Sequence, residues 1–266
     1  MGFIRNNILN PFNRVRPYLL GCLMIISFFF FVSFSKRAAD TQVCNGIKIK
    51  FYPHDKSKFL TESEVLTILN QAAEGGIIGR NFTDLNLHDI EMVLDRNDFI
   101  KKSDIYTQMN DTLYVDVLYR NPVLRILSIT HDDFYIDEYG DTMPTSPNHT
   151  DKILVATGYI SGIHDTTTIT NLFEMSRLIQ KDSFLKALIG QIYVSQDKEM
   201  AKEFIFIPRI SDLEIEFGDS ENMEAKFEKL KIFYKKIYPN LEKDKYRGIN
   251  LNFENQIILK LQINET

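Results

Sequence analysis

The sequence predicts an α+β protein with a single N-terminal transmembrane helix, a strand-helix-helix-strand-strand domain, and a mostly antiparallel β domain with flanking helices. Three observations favour this fold class. Residues 18–34 carry no charge, helical and strand periodicities alternate over residues 46–120, and short β-rich runs separated by polar turns follow over residues 121–266. With 44% hydrophobic and 25% charged residues, the 266-residue chain has enough apolar material for one large or two modest globular domains.

The uncharged run from Tyr18 to Phe34 has seventeen residues, close to the minimum of about 17 to 25 that a membrane-spanning helix needs. It is too long for the apolar region of a cleavable signal peptide, which has roughly 7 to 15 residues. A lipoprotein signal would place the run before Cys22, whereas most of it follows that cysteine. Apolar residues on every side are also atypical of a buried core helix. We therefore expect an uncleaved anchor over residues 18–35.

Basic residues alone do not settle the orientation of this anchor. Arg5, Arg14 and Arg16 precede it without an acidic residue among them, which favours a cytoplasmic N-terminus, but further basic residues follow it. A tail of seventeen residues cannot fold alone, whereas the remaining chain can. We expect residues 1–17 to form a cytoplasmic tail, residues 36–45 to form a linker, and the bulk of the chain to lie outside the cytoplasm.

Charge and cysteine content narrow the partners and the compartment. From residue 36 onward the chain has 28 basic and 36 acidic residues, a net charge of −8. No basic patch for phosphate binding is visible in the sequence, so nucleic acid is not an expected ligand. Cys22 lies in the predicted anchor and Cys44 lies beyond it, so the two are not expected to pair. An extracytoplasmic domain without internal disulfides is common in bacteria, which indicates a bacterial periplasmic protein.

Residues 46–120 have the pattern of a complete small α+β domain. Gly46–Tyr52 alternates apolar residues with lysines, the period of a half-buried strand. Thr61 and Glu64 form a capping box at the start of a helix, which the following glycine pair ends. A second helix begins near Asn86, and two further strands precede residue 121. Two helices are therefore expected to cover one face of a three-stranded sheet.

The last strand of this domain runs through Arg120 into Asn121 and Pro122, and the chain then becomes apolar again. Proline cannot donate to a sheet ladder, and it pushes the preceding residue toward an extended conformation. We predict that Arg120, Asn121 and Pro122 form an interdomain joint, at which the chain leaves a domain over residues 46–120 and enters a β domain over residues 121–266. A bulge within one continuous sheet is the alternative.

The β domain contains short strands, two predicted helices and a final hairpin. The second helix has an apolar stripe that extends to Ile237. In the hairpin, the inward face is apolar and includes Phe253 and Leu261, whereas Ile258 and Lys260 face outward. A terminal strand is expected at a sheet edge, where it can accept another strand. The predicted segments before the hairpin are helices at Asn171–Ile179 and Met223–Tyr238 and strands at Ile189–Val194, Phe204–Ile207 and Leu213–Phe217.

No motif in the sequence indicates a catalytic residue, a cofactor site or a metal site. The five histidines lack the spacing of metal ligands. Five acidic residues between positions 132 and 141, Asp137 among them, lack the spacing of a calcium loop, so a solvated hairpin is expected there. A membrane-anchored cell-envelope hydrolase is the alternative function, because distant residues can converge on a site that no motif reveals.

Taken in order, these segments resemble a known family. "KFLTESEVLTILN", the glycine turn, "NFTDLNLHDIEMVLDRNDFIKKSDIYTQMNDTLYVDVLYRNPVLRI" and "DFYIDEYGDTM" resemble the POTRA domain and following strands of the cell-division protein FtsQ, called DivIB in some bacteria. The matching positions include Ile100, the box from Tyr119 to Pro122, and Asp137 and Gly140 in the next hairpin. The resemblance covers nearly all the chain from Tyr18 onward, and the Asn- and Ile-rich composition is similar to members from the Bacteroidota.

The resemblance implies a non-enzymatic, single-pass protein of the bacterial inner membrane, without a cofactor and enriched at the division septum. Such a protein binds other divisome proteins and couples their assembly to septal cell-wall synthesis. The POTRA domain is expected to be one of the surfaces that bind them. In this family the end of the β domain binds bitopic division proteins of the FtsB/FtsL class by strand addition, which implicates Phe253, Ile258 and Lys260. The chain has no tryptophan, in contrast to the best-known family pattern, so the anchoring side chain is left open.

Overall fold

The computed structural model describes residues 21–30, 42–53, 59–108, 110–129, 131–196 and 201–262. Residues 21–30 are helical, and the rest of the predicted anchor lies outside the described residues. Within these ranges, no helix has the length and apolar character needed to cross a membrane. The predicted cytoplasmic tail and the first residues of the predicted linker also lie outside the described part of the chain.

The first part of the chain folds in the predicted order strand, helix, helix, strand, strand. Its elements are β1 (Gly46–Tyr52), α1 (Glu62–Ala72), α2 (Leu87–Asp95), β2 (Ile100–Gln108) and β3 (Thr112–Tyr119). A short 3₁₀ turn at Phe82–Asp84 separates the two helices. The three strands form a sheet in the order β1-β3-β2, so β3, the last of the three in the sequence, lies between β1 and β2.

The spacing of buried apolar residues explains these elements. Val65 and Leu69 are four residues apart on α1 and both are fully buried, because residues at this spacing lie on one face of a helix. Ile90 and Leu94 repeat the spacing on α2 and are also buried. In β3 every second residue from Leu113 onward is buried, the period of a strand with one face on a core.

The second part of the chain forms a nine-stranded sheet flanked by helices. Its elements are β4 (Pro122–Ile126), β5 (Phe134–Asp137), β6 (Thr142–Pro144), β7 (Leu154–Gly158), α3 (Thr166–Lys181), α4 (Ser183–Leu188), β8 (Ile189–Gln196), β9 (Lys202–Pro208), β10 (Glu214–Gly218), α5 (Met223–Ile232), β11 (Tyr246–Asn250) and β12 (Ile258–Leu261). The strand order is β12-β11-β10-β9-β8-β7-β4-β5-β6.

This sheet is mixed. Five of its eight strand pairs are antiparallel, and three are parallel: β4 with β7, β7 with β8, and β10 with β11. Parallel neighbours need a crossover connection, which α3 and α4 supply between β7 and β8 and α5 supplies between β10 and β11. The predicted antiparallel majority and flanking helices are present, whereas the three parallel pairs were not predicted.

An aromatic cluster holds α5 on the sheet. Phe206 on β9, Phe217 on β10 and Phe227 on α5 are all buried, and their ring centroids lie 4.6 to 5.6 Å apart. Aromatic pairs of this kind contribute about 0.5–1.5 kcal/mol each beyond the area that they bury. Leu230, three residues after Phe227, is fully buried as well. The apolar face of α5 therefore fixes this helix against β9 and β10.

The helix predicted over Met223–Tyr238 is only partly α-helical. After α5 a π turn covers Phe233–Ile237, and a π turn contains more residues than an α-helical turn, so it rotates the side chains that follow. Phe233 and Tyr234, the first two residues of this turn, are both buried, and burial raises the pKa of Tyr234 to about 12. Ile237, predicted to belong to the apolar stripe, is 44% exposed. That part of the prediction is wrong.

Contacts among the described residues divide the chain into two compact units. Arg120 and Asn121 connect β3 of the three-stranded sheet to β4 of the nine-stranded sheet. The second unit has a continuous apolar core between its sheet and the helices α3, α4 and α5. The first unit contains the described residues up to Lys50, Ser63–Leu94 and Ser103–Asp116, and the second contains the described residues of Phe51–Glu62, Asp95–Lys102 and Val117–Thr266.

Candidate functional site

Strand β12 lies at one edge of the nine-stranded sheet. It pairs antiparallel with β11, where Ile258 lies opposite Asn250 and Lys260 lies opposite Gly248. Among the residues that the structure describes, no strand pairs with the other side of β12. An edge strand of this kind presents unpaired N–H and C=O groups, which can pair with a strand of another protein.

One hydrogen bond shows which backbone groups of β12 face the open side. The Gln262 N–H donates to the Lys245 carbonyl oxygen over 2.8 Å, so it points toward the neighbouring chain segment that leads into β11. The backbone groups of successive residues in an antiparallel strand point to opposite sides. The N–H and C=O groups of Leu259 and Leu261 therefore point away from β11 and toward the open side.

Three apolar side chains at this edge are exposed: Ile258 by 39%, Phe253 by 46% and Leu261 by 64%. The outward position of Ile258 agrees with the prediction, but the inward position predicted for Phe253 is wrong. Leu261 lies on the same face of β12 as Leu259, as predicted, and is nevertheless exposed. β11 ends at Asn250, so Phe253 lies in the turn before β12 and not in a strand. Leu261 lies beyond Leu259, the residue of β12 that packs against the core.

Lys260 is held on the outer face of the sheet by an ion pair. Its Nζ contacts Oε1 of Glu216 on β10, and the side-chain amide of Asn250 on β11 donates to Oε2 of the same carboxylate over 2.8 Å. Ile258 lies directly opposite Asn250 and thus on the same face. These contacts link β10, β11 and β12. The exposed apolar side chain of Ile258 therefore lies beside the polar side chains of Lys260, Glu216 and Asn250.

Lys229 on α5 holds the turn that carries Phe253. Its ammonium group donates to the carbonyl oxygen of Leu251 over 2.8 Å and to that of Phe253 over 2.6 Å. Burial lowers the pKa of Lys229, the positive charge of Lys226 lowers it further, and Glu254 opposes both effects. The helix therefore holds this turn from one side, and the Leu251 N–H also donates to the Glu216 carbonyl oxygen of β10 over 2.9 Å.

Lys226 fastens the same turn from a buried position. It is 5% exposed, and its Nζ donates to Oδ1 of Asp219 over 2.5 Å and to Oδ1 of Asn252 over 3.4 Å. Burial raises the pKa of Asp219, but the hydrogen bond from Lys226, the hydrogen bond from the Glu221 N–H and the positive charge of Lys226 together leave this pKa lowered. Neither lysine was predicted to have a structural role, because helical lysines usually mark a solvated face. The available signal is the position of Lys226 directly before Phe227 in the apolar stripe.

We expect Lys229→Met to loosen this turn and leave the fold intact. The substitution removes two charge-assisted hydrogen bonds to carbonyl oxygens, so the free energy of unfolding should fall by about 1–2 kcal/mol. Amide hydrogen exchange over residues 251–255 should become at least tenfold faster. Lys236→Met is the control, because Lys236 is an exposed lysine of the following turn with no ion pair among the described residues. Unchanged exchange in Lys229→Met would contradict the assignment.

The Arg120 side chain, at the predicted joint, is the centre of a hydrogen-bond network in the second unit. Its Nε donates to Oδ2 of Asp137 over 2.9 Å, and its Nη2 lies 2.8 Å from the same oxygen. The guanidinium also donates to the carbonyl oxygens of Asp98, Thr142 and Asp141, each over 3.1 Å. The side chains of Arg120 and Asp137 are 16% and 3% exposed. The carboxylate of this ion pair is therefore buried and the guanidinium is partly buried, and their hydrogen-bonding groups are satisfied.

The other carboxylate oxygen of Asp137 accepts the N–H of Tyr139 over 2.9 Å and that of Asp141 over 3.0 Å. These bonds close the hairpin between β5 and β6. The prediction of a solvated hairpin is wrong for Asp137, which is 2% exposed. Nothing in a run of acidic residues shows which carboxylate meets an arginine seventeen positions earlier in the chain.

Asn121 and Pro122 lie beside this network. The Asn121 carbonyl accepts the N–H of Glu138 over 3.0 Å, and its side-chain amide donates to the Glu138 carboxylate over 3.2 Å. A hydrogen bond from Lys101 at 2.8 Å lowers the pKa of Glu138. Pro122 begins β4 opposite Asp137. All three residues of the predicted joint thus interact with the hairpin formed by β5 and β6.

Two further observations concern chemistry elsewhere in the described ranges. No group of three or more histidine, cysteine, aspartate or glutamate residues there is arranged to hold a metal ion. Cys22 and Cys44 are both free thiols, the first exposed and the second buried.

Two family models match the chain. A POTRA-like domain model matches residues 42–118, and a model described as FtsQ/DivIB, C-terminal related matches residues 121–259. The second match alone covers just over half of the 266 residues. No curated protein matches the chain at a significant level. The chain therefore belongs to the FtsQ/DivIB family of cell-division proteins, through a C-terminal related domain that follows a POTRA-like domain.

Proposed function

We propose that this protein is a non-enzymatic scaffold of the bacterial divisome, which binds other division proteins at the septum and couples their assembly to septal cell-wall synthesis. Membership of the FtsQ/DivIB family supports the cell-division role. The observation that carries the binding role is the open side of β12, where no strand of the described residues pairs with the backbone groups of Leu259 and Leu261 and exposed apolar side chains lie close by.

The proposed partners are bitopic division proteins of the FtsB/FtsL class, which add one strand to β12. In strand addition, main-chain hydrogen bonds supply affinity and alternate side chains supply specificity. Ile258 and Phe253 are the apolar contacts that we assign to the partner. Lys260 forms an ion pair with Glu216, so we propose that its role is to maintain the outer face of the sheet beside Ile258. The POTRA-like domain is a second proposed surface for other divisome proteins.

We further propose that the protein is single-pass in the bacterial inner membrane, with a cytoplasmic N-terminus and a periplasmic bulk. Support for the anchor over residues 18–35 comes from the uncharged run in the sequence. We propose residues 46–120 and 121–266 as the two periplasmic domains, joined at Arg120, Asn121 and Pro122.

Ile258→Glu should weaken partner binding at least tenfold and leave the fold intact. The side chain is 39% exposed, so the substitution should change the free energy of unfolding by less than about 1 kcal/mol. A carboxylate at this position would have to be desolvated when a partner strand covers it. Binding of the purified FtsB/FtsL-class partner measures the effect, and circular dichroism measures the fold.

The matched control is Ile163→Glu, which introduces the same charge at an isoleucine that is 52% exposed and follows β7, far along the sheet from β12. Equal loss of binding in both variants would show that the edge is not the site. Unfolding of Ile258→Glu would show that the assignment of faces is wrong.

The cellular role is tested by a tagged full-length copy in dividing cells, with co-purification of membrane proteins. We expect enrichment at the septum and recovery of a small bitopic division protein. Uniform envelope staining together with the absence of such a protein would contradict the scaffold proposal.

A further inference from the structure

A cavity of about 370 Å³ opens at the end of the sheet where β4, β7 and β8 begin. These three strands are parallel neighbours, so their first residues, Pro122, Leu154 and Ile189, come together and line the cavity. β9 runs antiparallel to β8, and Arg209 directly after it also lines the cavity. The last turns of α3 and α4 complete the wall, which is built entirely within the second unit.

The wall of this cavity is strongly basic. Lys152, Lys186 and Arg209 contribute three positive charges, and none of the twelve lining residues is acidic. The chain as a whole has the opposite balance, with 36 acidic and 31 basic residues. Eleven ion pairs form among the described residues, and none involves these three cations. The positive charges of these three side chains can therefore interact with solvent or with a ligand.

A structural role accounts for one of the three cations. Lys186 lies in the last turn of α4, where a positive charge offsets the negative end of a helix. Lys152 precedes β7 and Arg209 follows β9, so neither lies at a helix end. The convergence of all three on one concave surface is not explained by helix stability.

The remaining residues that line the cavity indicate which polar and apolar groups a ligand would present. Gln180 adds an amide group, and the floor is apolar, with Val123, Ile153, Leu154, Ile179 and Ile189. Arginine and lysine side chains donate hydrogen bonds and accept none. A ligand that fits this wall therefore presents negatively charged acceptor oxygens to the rim and an apolar part to the floor.

We propose that this cavity binds a small molecule with two or more anionic groups, either carboxylates or phosphates. Its volume lies within the range of about 300–1,000 Å³ that is typical of small-molecule sites. The planar guanidinium of Arg209 matches the paired oxygens of a carboxylate or phosphate, and Lys152 and Lys186 neutralise further charge. The strands β9, β10 and β11 separate the cavity from β12, so the inference is independent of the proposed partner-binding edge.

The test is calorimetric titration of the full-length chain in a non-ionic detergent, at constant ionic strength, with two probes. Pyrophosphate represents phosphates and tricarballylate represents carboxylates. We expect at least one probe to bind saturably with one-to-one stoichiometry, and the tighter probe identifies the anionic group. The triple variant Lys152→Gln, Lys186→Gln and Arg209→Gln should weaken that binding at least tenfold, with an unchanged circular dichroism spectrum.

Lys236→Gln is the matched control, because it removes one exposed positive charge outside the cavity. We expect it to change affinity by less than twofold. The inference is overturned if neither probe binds saturably to the native chain, if the folded triple variant binds as tightly as the native chain, or if the control loses as much affinity as the triple variant. If the triple variant does not fold, the three single substitutions replace it, and each should weaken binding measurably.

Discussion

Arg120→Ala should lower the free energy of unfolding by about 3 kcal/mol, the lower end of the cost of removing the partner of a buried charge, because Arg120 itself is partly exposed. The substitution leaves the Asp137 carboxylate, 3% exposed, without its counter-charge. It also removes the donors to the carbonyl oxygens of Asp98, Thr142 and Asp141. Denaturant unfolding of the full-length chain, followed by circular dichroism, measures the loss. No other single change considered for this protein should destabilise it as much.

Two comparisons separate this network from charge effects in general. Arg177→Ala removes an ion pair with Glu174 in which both side chains are 46% exposed, and such exposed pairs contribute about 0.3–0.5 kcal/mol. The double variant Arg120→Ala with Asp137→Ala should lose less than the sum of the single variants, because it leaves no unpaired charge. A loss below about 1 kcal/mol in Arg120→Ala would contradict the network's structural role.

Leu261→Pro should reduce binding of the partner strand at least tenfold without unfolding the protein. The Leu261 N–H points to the open side of β12, as the hydrogen bond from Gln262 to Lys245 indicates. Proline removes this donor, and its ring occupies the space that an added strand needs. Proline is tolerated on an edge strand where the missing N–H faces solvent. The affinity for the purified FtsB/FtsL-class partner measures the effect, and thermal unfolding measures stability.

Leu261→Ala is the control that distinguishes the backbone from the side chain. It removes most of the side chain, which is 64% exposed, and keeps the N–H. If strand addition is correct, Leu261→Ala should bind within about threefold of the native affinity and Leu261→Pro should not. Equal weakening in both variants would indicate side-chain docking instead, and native affinity in Leu261→Pro would exclude pairing at this position.

Local patterns predicted most of the elements. Val65 and Leu69 on α1, and the alternation that begins at Leu113 in β3, are visible in the sequence because burial of one face repeats every 3.6 or every 2 residues. The outward position of Ile258 follows from the same alternation. The strand at Leu213–Phe217 was also predicted to within one residue of its observed start, Glu214.

Most of the errors concern groups that are distant in sequence. The exposure of Ile237 is the exception, because it follows from the local π turn at Phe233–Ile237. Asp137 was expected in solvent because its contact with Arg120 spans seventeen positions. Phe253 was expected inward because continuation of β11 past Asn250 looked favourable locally, whereas the turn is held by Lys229 from another element. The parallel pairing of β10 with β11 likewise depends on the crossover through α5.

The sequence by itself determined most of the elements, the outward position of Ile258 and the resemblance to FtsQ/DivIB, but it did not predict β7 or α4. Only the tertiary structure decided that Arg120 pairs with Asp137, that Lys226 and Lys229 hold the turn before β12, and that β10 and β11 are parallel neighbours. The physical reason is the range of the interactions. Periodic burial depends on residues that are close together in the sequence. Ion pairs, strand partners and sheet edges depend instead on which distant segments meet when the chain folds.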